Sequence, residues 1–314
     1  MAHEIYEHDR LLLHKVAAWH GLGTVIQESL SPREALEVSG LDWVVENLPV
    51  YLNTAEMIPG YQAIRRSDTG EVFQIASDSY SVFQNHDLAA LAHAIGSESG
   101  AKVESAGSLR NGRDVFFLLQ IGSFVLPGND AVENYALLRT THDGTAALQV
   151  FQTSIRVTCK NTWRMASKDQ ARGIYFRHTA GMHDRVEQGV KAIQAAKETV
   201  KRTEEVALSL VSVPISSSDA RVYFETVLLQ SLGQPTSDKG KTMLANKRDE
   251  MVSSYYDPSN DNIRGNLWGA FNAVSHWTDH KMKARGLGNG KFSSLFGPGM
   301  EMKQNALNLA SALV

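Results

Sequence analysis

The residues in this sequence best suited to chemistry are cations and aromatic rings that alternate between positions 156 and 177. The first four cations recur at intervals of four residues, which on a helix would align them as one ridge. Cations bind phosphates, and aromatic rings stack on unpaired bases at about 1–3 kcal/mol per base. The cations are Arg156, Lys160, Arg164, Lys168, Arg172 and Arg177, and the aromatic residues are Trp163, Tyr175 and Phe176. This composition predicts a groove for single-stranded nucleic acid.

The net charge of the chain is concentrated in the same region. Residues 151–202 hold 11 Lys and Arg against 4 Asp and Glu, a net charge of +7. Residues 1–150 hold 9 against 19, a net charge of −10, and residues 203–314 hold 11 of each. A local positive charge of this size is typical of a surface for a polyanion. The structural alternative is a solvated basic helix face with the aromatic rings in the core.

Three further residues complete the predicted nucleic-acid-binding set: Arg139, His142 and Asn161. The run His142-Asp143-Gly144 predicts a hairpin turn, because Asp-Gly is a common turn dipeptide. An imidazole that such a turn presents beside a basic segment would suit contact with a phosphate.

A metal site is the alternative use of the histidines. His276 and His280 are four residues apart, so they share one helix face and could bind zinc. The pattern is similar to the H-x-x-E-H motif, but Asp279 stands where the motif has Glu. The Asp side chain is one methylene shorter, so its carboxylate would lie too far back to act as the general base. His142 and Asp143 are the other candidate ligands, and no third helical ligand follows. The sequence therefore predicts no metal and no cofactor.

Composition excludes several classes of protein. Of the 314 residues, 43% are hydrophobic, enough to bury a core. No run of about 18 apolar residues is present, so we expect no membrane partner. The first ten residues are acidic and rich in histidine, which does not resemble a secretory signal. Cys159 is the only cysteine, so no disulfide can form within the chain. These features favour the cytoplasm.

Local patterns in the first half predict antiparallel strands with a few helices. Ser31-Pro32-Arg33-Glu34 is a capping box that should begin a helix ending at Gly40. Asn111-Gly112 is a strong hairpin signal between strands 102–109 and 114–121. Further strands are predicted at 43–52, 61–64, 71–75, 80–83, 135–139 and 146–152, with a helix over 85–95. Residues 155–158 either stay extended or bend into a helix at about Thr162.

From Asp184 the apolar residues recur at three, four and seven positions, which predicts helices. Four further helical segments follow the first, at 219–232, 241–255, 266–280 and a last one ending at Val314. Separate runs of strands and then helices indicate an α+β fold, an antiparallel hairpin-rich sheet followed by an all-helical C-terminal part. We predict a segment with a short helix at 1–40, a β-rich domain with the basic strand-helix segment at 41–183, and a helical region at 184–314.

The sequence Y-A-L-L-R-T-T-H-D-G-T-A-A-L-Q-V-F-Q-T-S-I-R-V-T-C-K-N-T-W at 135–163 resembles a known family. This is the phage/plasmid-like family catalogued as domain of unknown function 932. The runs W-H-G-L-G-T at 19–24 and N-A-V-S-H-W-T-D-H at 272–280 also look like that family. Its usual Leu is Trp163 here. The resemblance implies a gene of phages or mobile elements in a bacterial host, and it brings no activity or catalytic residue.

These observations favour a nucleic-acid-binding protein that binds or anneals single-stranded DNA and needs no enzymatic activity. One alternative is a metal-dependent hydrolase of nucleotides or nucleic acid, built from His142, Asp143, His276 and His280. A second alternative is a protein-binding factor that counters a host defence. A homo-oligomer is compatible with each of the three.

Overall fold

A computed structural model describes residues 7–14, 24–156, 161–163, 174–176, 196–282 and 297–314. Residues 98–99, 155–156, 161–163, 174–176 and 196–199 are described by their backbone alone. The strands are β1 (Leu11–His14), β2 (Thr24–Ile26), β3 (Val45–Tyr51), β4 (Met57–Arg66), β5 (Val72–Ser77), β6 (Lys102–Leu109), β7 (Asp114–Leu126), β8 (Asp130–Thr141), β9 (Leu148–Arg156), β10 (Asn161–Trp163) and β11 (Ile174–Phe176).

The strands form two sheets. The larger sheet has the order β10-β9-β8-β7-β6-β1-β2, and β11 also pairs with β9. The smaller sheet has the order β3-β4-β5 and is antiparallel throughout. One pair in the larger sheet, β1 with β2, is parallel. The described part of the chain is therefore α+β with a mostly antiparallel sheet, as the sequence predicts.

Helices dominate the C-terminal part. Among the described residues the helices are α1 (Pro32–Val38), α2 (Asn85–Ser99), α3 (Ala196–Ser212), α4 (Ser217–Leu232), α5 (Asp238–Tyr255), α6 (Leu267–His280) and α7 (Pro298–Ser311). The four helices α4 to α7 match the predicted helical segments. None of the described helices combines the length and the apolar character that crossing a membrane requires.

Two helix starts follow directly from the sequence. The Ser31 side chain accepts a hydrogen bond from the Glu34 amide, and the Glu34 carboxylate accepts one from the Ser31 amide, which completes the capping box. The Asn266 side chain caps α6 by accepting from the Gly269 amide at 2.9 Å. In both places a local sequence signal is sufficient, because the hydrogen bonds form between residues three apart.

The predicted Asn-Gly hairpin joins β6 to β7. Asn111 and Gly112 have φ values of 60° and 90°, and the paired strands meet at Leu109 and Asp114. A Cβ on Gly112 would also lie 2.9 Å from the Trp43 ring. Backbone conformation and close packing therefore both require glycine at this position.

Two sequence expectations are wrong. Residues 80–83 form no strand: Phe83 is buried, Tyr80 is half-buried, and the Tyr80 carbonyl accepts from the Gln62 side chain. Helix α2 passes Gly96 and ends at Gly100, which adopts the left-handed conformation that ends many helices. Of the two alternatives for the chain after β9 begins, Ile155 and Arg156 follow the extended one, and Thr162 lies in β10.

The chain forms two compact units, and the three segments predicted from the sequence stay a prediction. The first comprises Met1–Ile121, Tyr135–Gln152 and Arg172–Lys197, and its core includes Leu12, Ile64 and Phe117. The second comprises Gly122–Asn134, Thr153–Ala171 and Glu198–Val314, and its core includes Trp268 and Phe271. Strands β7, β8 and β9 contribute residues to both units. The predicted limits of the basic strand-helix segment fall largely outside the described residues.

We expect Gly269→Ala to destabilise the protein, although alanine is the better helix former by about 1 kcal/mol. A Cβ on Gly269 would lie 2.2 Å from the Ile263 carbonyl oxygen, a backbone atom that cannot move alone. The overlap should lower the free energy of unfolding by on the order of 3 kcal/mol, measured by urea denaturation. Asn246→Ala on the exposed face of α5 is the control and should change it by less than about 0.5 kcal/mol. Equal stability of the two variants would contradict this packing.

Candidate nucleic-acid interface

The basic segment begins at one edge of the larger sheet. Strand β9 has β8 on one side and pairs on its other side with β10 and then β11. Asn161 lies opposite Arg156 in β10, and Phe176 lies opposite Leu148 in β11. Residues 161–163 and 174–176 of the basic segment therefore pair along the outer side of β9.

The structure describes only part of the predicted binding set. Arg139 and His142 are described fully, whereas Arg156, Asn161 and Trp163 are described by their backbone. The predicted residues outside the described part of the chain are Lys160, Arg164, Lys168, Arg172 and Arg177.

The single helical ridge is wrong at its first residue. Arg156 lies in β9, and Asn161–Trp163 pairs antiparallel with Ser154–Arg156. The β-branched residues Ile155 and Thr162 lie opposite each other and favour this extended pairing. Residues four apart on a continuous strand share a face but lie about 13 Å apart, whereas on a helix they lie about one turn apart and form a continuous ridge.

Two aromatic residues of the basic segment lie in β11. Phe176 lies opposite Leu148 in β9, and Tyr175 lies opposite Gln149. Leu148 belongs to the core of the first unit.

Arg139 is buried and holds a carboxylate. Its Nε donates to Asp114 Oδ1 at 2.8 Å, and one of its terminal nitrogens donates to Gln149 Oε1 at 2.9 Å. The Arg110 guanidinium also donates to Asp114, whose side chain is 1% exposed. Two cations thus surround one buried anion. The exposed surface of Arg139 is 5%, so we leave this residue out of the proposed nucleic-acid surface.

His142 is enclosed, in contrast to the exposed turn that the sequence predicts. It is 0% exposed, and its Nε2 lies 2.9 Å from Asn85 Oδ1. Its ring stacks on Phe73 with centroids 5.8 Å apart and meets the edge of Trp43 at 5.5 Å. This environment is a packed aromatic cluster. Because the imidazole has no exposed surface, we also leave His142 out of the proposed surface.

Asp143, the neighbour of His142, is held by hydrogen bonds from its own turn and from Arg110. Its Oδ2 accepts from Arg110 at 2.9 Å, and its Oδ1 accepts from the Thr145 amide at 3.1 Å. Burial raises the pKa of the Asp143 carboxyl, but the Thr145 hydrogen bonds and the Arg110 charge outweigh burial and hold it below its usual value. At pH values above the ordinary Asp pKa of about 3.9, the Asp143 carboxylate therefore stabilises the fold. This stabilisation is lost as the pH falls through the lower pKa that Asp143 has in the folded protein.

The two helical histidines lie side by side near the end of α6. Their ring centroids are 4.8 Å apart, and His276 is half-buried while His280 is exposed. Burial, with a smaller effect of His280, lowers the pKa of His276 and so favours its neutral imidazole. Within the described residues, no three His, Cys, Asp or Glu side chains come close enough together to hold a metal ion.

Sequence reasoning missed the ion cluster of Arg110, Asp114, Arg139 and Asp143. The available signal was Arg139 at the end of the apolar run Tyr135–Leu138. A charge inside an apolar strand needs a carboxylate partner, since an unpaired buried charge costs several kcal/mol. The sequence offered many carboxylates, and only the neighbouring strand register identifies Asp114 as the partner.

We expect Asp114→Asn to lower the free energy of unfolding by about 3–5 kcal/mol, because it leaves two guanidinium groups without their buried carboxylate. The measurement is urea denaturation at pH 7, followed by circular dichroism. Glu37→Gln is the matched control, since it removes a carboxylate from the exposed pair with Arg33 and should cost less than about 1 kcal/mol. If both variants lost the same small amount, the Asp114 cluster would not stabilise the fold.

Comparison with known proteins identifies the family to which this chain belongs. The family model described as a domain of unknown function, DUF932, matches residues 72–295, which are 224 of the 314 residues. No curated protein and no solved structure matches this chain. The match includes β5 to β9 and α4 to α6 and confirms the family resemblance of the sequence. The chain belongs to the family of the domain of unknown function DUF932.

Proposed function

We propose that this protein binds single-stranded nucleic acid, preferably DNA, through residues 151–202. The observation that carries the proposal is the net charge of +7 in this segment, beside a segment of −10 and a neutral one. Such an uneven distribution attracts a polyanion to one part of the chain. Trp163, Tyr175 and Phe176 occur between the cations, and aromatic residues can stack on bases that have no pairing partner.

The described contacts of the neighbouring residues narrow the proposed surface. Arg139 and Arg110 already neutralise Asp114 and Asp143, so they have little charge to offer a phosphate. The cations of 151–202 therefore remain the better candidates.

The hydrolase alternative is less well supported. Its His142 is buried against Phe73 and Trp43, and its Asp143 is engaged by Arg110 and Thr145. A catalytic zinc needs three protein ligands and an open position for water.

We also propose that the protein acts in the cytoplasm of a bacterial host. The setting would be a phage or plasmid process in which single-stranded DNA is exposed and annealed.

The test is fluorescence anisotropy with a labelled oligo(dT) strand, a duplex and an RNA strand, each titrated across a salt series. We expect the single strand to bind most tightly, with log affinity falling linearly as log salt rises. The triple variant Arg156→Ala, Lys160→Ala and Arg164→Ala should bind more weakly. Its salt slope should be shallower by about 0.7 for each phosphate contact that is lost.

A second triple variant controls for overall charge. Arg33→Ala, Lys239→Ala and Lys241→Ala removes three exposed cations from α1 and α5 and should leave both affinity and slope close to those of the wild type. No binding of any oligonucleotide at low salt would overturn the function. Equal losses in the two triple variants would overturn the assignment to 151–202.

A further inference from the structure

The side-chain amide of Gln149 on β9 is held in one orientation. A terminal nitrogen of Arg139, on the neighbouring strand β8, donates to Gln149 Oε1 at 2.9 Å. A guanidinium carries only N–H donors, so the amide atom that faces it must be the oxygen. The amide nitrogen of Gln149 therefore points away from Arg139 and has two N–H donors to offer.

Buried charge keeps Arg139 in place. Arg139 is 5% exposed, and its Nε donates to Asp114 Oδ1 at 2.8 Å. Asp114 is 1% exposed and also accepts from Arg110. Because Arg139 is fixed in this way, Gln149 is hydrogen-bonded to a group that cannot follow a moving side chain. A donor that is oriented before its ligand arrives loses less conformational freedom on binding than a free side chain loses.

The amide nitrogen of Gln149 is open to solvent. Gln149 is half-buried, and its nitrogen is not among the buried side-chain atoms of the described residues that lack a hydrogen-bond partner. Within the described part of the chain, the hydrogen bond of the Gln149 side chain is the one from Arg139. A donor that faces water can exchange that water for an acceptor atom of a ligand.

Gln149 also adjoins the basic segment. Its partner across the β9–β11 pair is Tyr175, which belongs to the segment 151–202 with its net charge of +7. The Cα atoms of directly opposite residues in antiparallel strands are about 4.5–5.5 Å apart. A nucleotide bound at β11 would therefore lie within reach of the Gln149 amide. The cations of the segment suit phosphates, whereas a neutral amide suits the polar edge of a base.

We propose that Gln149 contacts a base of the bound single strand, and that its amide nitrogen donates to an acceptor atom on that base. This inference rests on the proposed function, because the strand must first bind to 151–202. Every base has an acceptor on its edge, as thymine has in O2 and O4, so the contact distinguishes a strand with bases from one without them. It involves no phosphate, so it should not affect the dependence of binding on salt.

The test compares oligo(dT) with an abasic strand of the same length, by fluorescence anisotropy with the full chain across a salt series. Gln149→Met removes the amide at a similar side-chain length and should weaken oligo(dT) binding about three- to tenfold, the effect of one hydrogen bond. The abasic strand keeps its phosphates and should bind the variant and the wild type equally. The salt slope should also stay the same. Gln230→Met, at an exposed position of α4, is the control and should change neither affinity.

Gln149→Glu tests whether a loss of binding comes only from the lost contact with Arg139. Its carboxylate keeps an oxygen to which Arg139 can donate, but it has no N–H. The added negative charge should weaken the binding of both strands, and oligo(dT) should lose about three- to tenfold more than the abasic strand. Circular dichroism of both variants should match that of the wild type.

The outcomes separate this inference from the proposed function. If Gln149→Met bound both strands as the wild type does, or if both variants lost as much affinity for the abasic strand as for oligo(dT), the base contact would be wrong. The binding function of 151–202 would then still stand. A wild type that binds neither strand at low salt would overturn the proposed function and the base contact with it.

Discussion

The buried carboxylate of Asp114 is the constraint on which the N-terminal architecture depends. It stands at the start of β7, where it is 1% exposed and surrounded by Arg110 and Arg139. Removing a charged group from water is so costly that the group must be paired and hydrogen-bonded where it lies. The pairing joins the β6–β7 turn to β8, and Arg110 continues it to Asp143. Two separate stretches of chain, 110–114 and 139–143, are thereby held in one arrangement.

A second ion network holds the smaller sheet to the same turn. Arg66 forms a bidentate pair with Asp68 and donates to the Asn111 carbonyl at 3.1 Å, while its guanidinium lies 4.3 Å from the Trp43 ring centroid. Asp9 accepts from the amides of Asn111 and Gly112, each at 2.9 Å. These contacts explain why the turn accepts left-handed backbone at successive residues. The hydrogen bonds that fix its amides and carbonyls compensate for the strain.

Pairing of arginines with carboxylates of the same chain distinguishes the charges that stabilise the fold from those that can bind a ligand. In the N-terminal part the arginines of the described clusters face carboxylates of their own chain, and His142 is enclosed by aromatic rings. A residue of a type suited to catalysis or phosphate binding can therefore be assigned to a site only when its surroundings are known. The positive charge of 151–202 has no comparable excess of carboxylates within its own segment, and for this reason the proposed function rests on it.

The sequence by itself determined the features that depend on residues close together in the chain. The capping box at Ser31, the start of α6 at Asn266, the Asn-Gly hairpin and the change from strands to helices all come from hydrogen bonds or periodicities within a few positions. The α+β class follows from them. Only the tertiary structure decided features that depend on distant partners, because burial and strand pairing are set by residues far away in sequence. Asn161–Trp163 became a strand because β9 was there to pair with it, and His142 became a core residue because Asn85, Phe73 and Trp43 surround it.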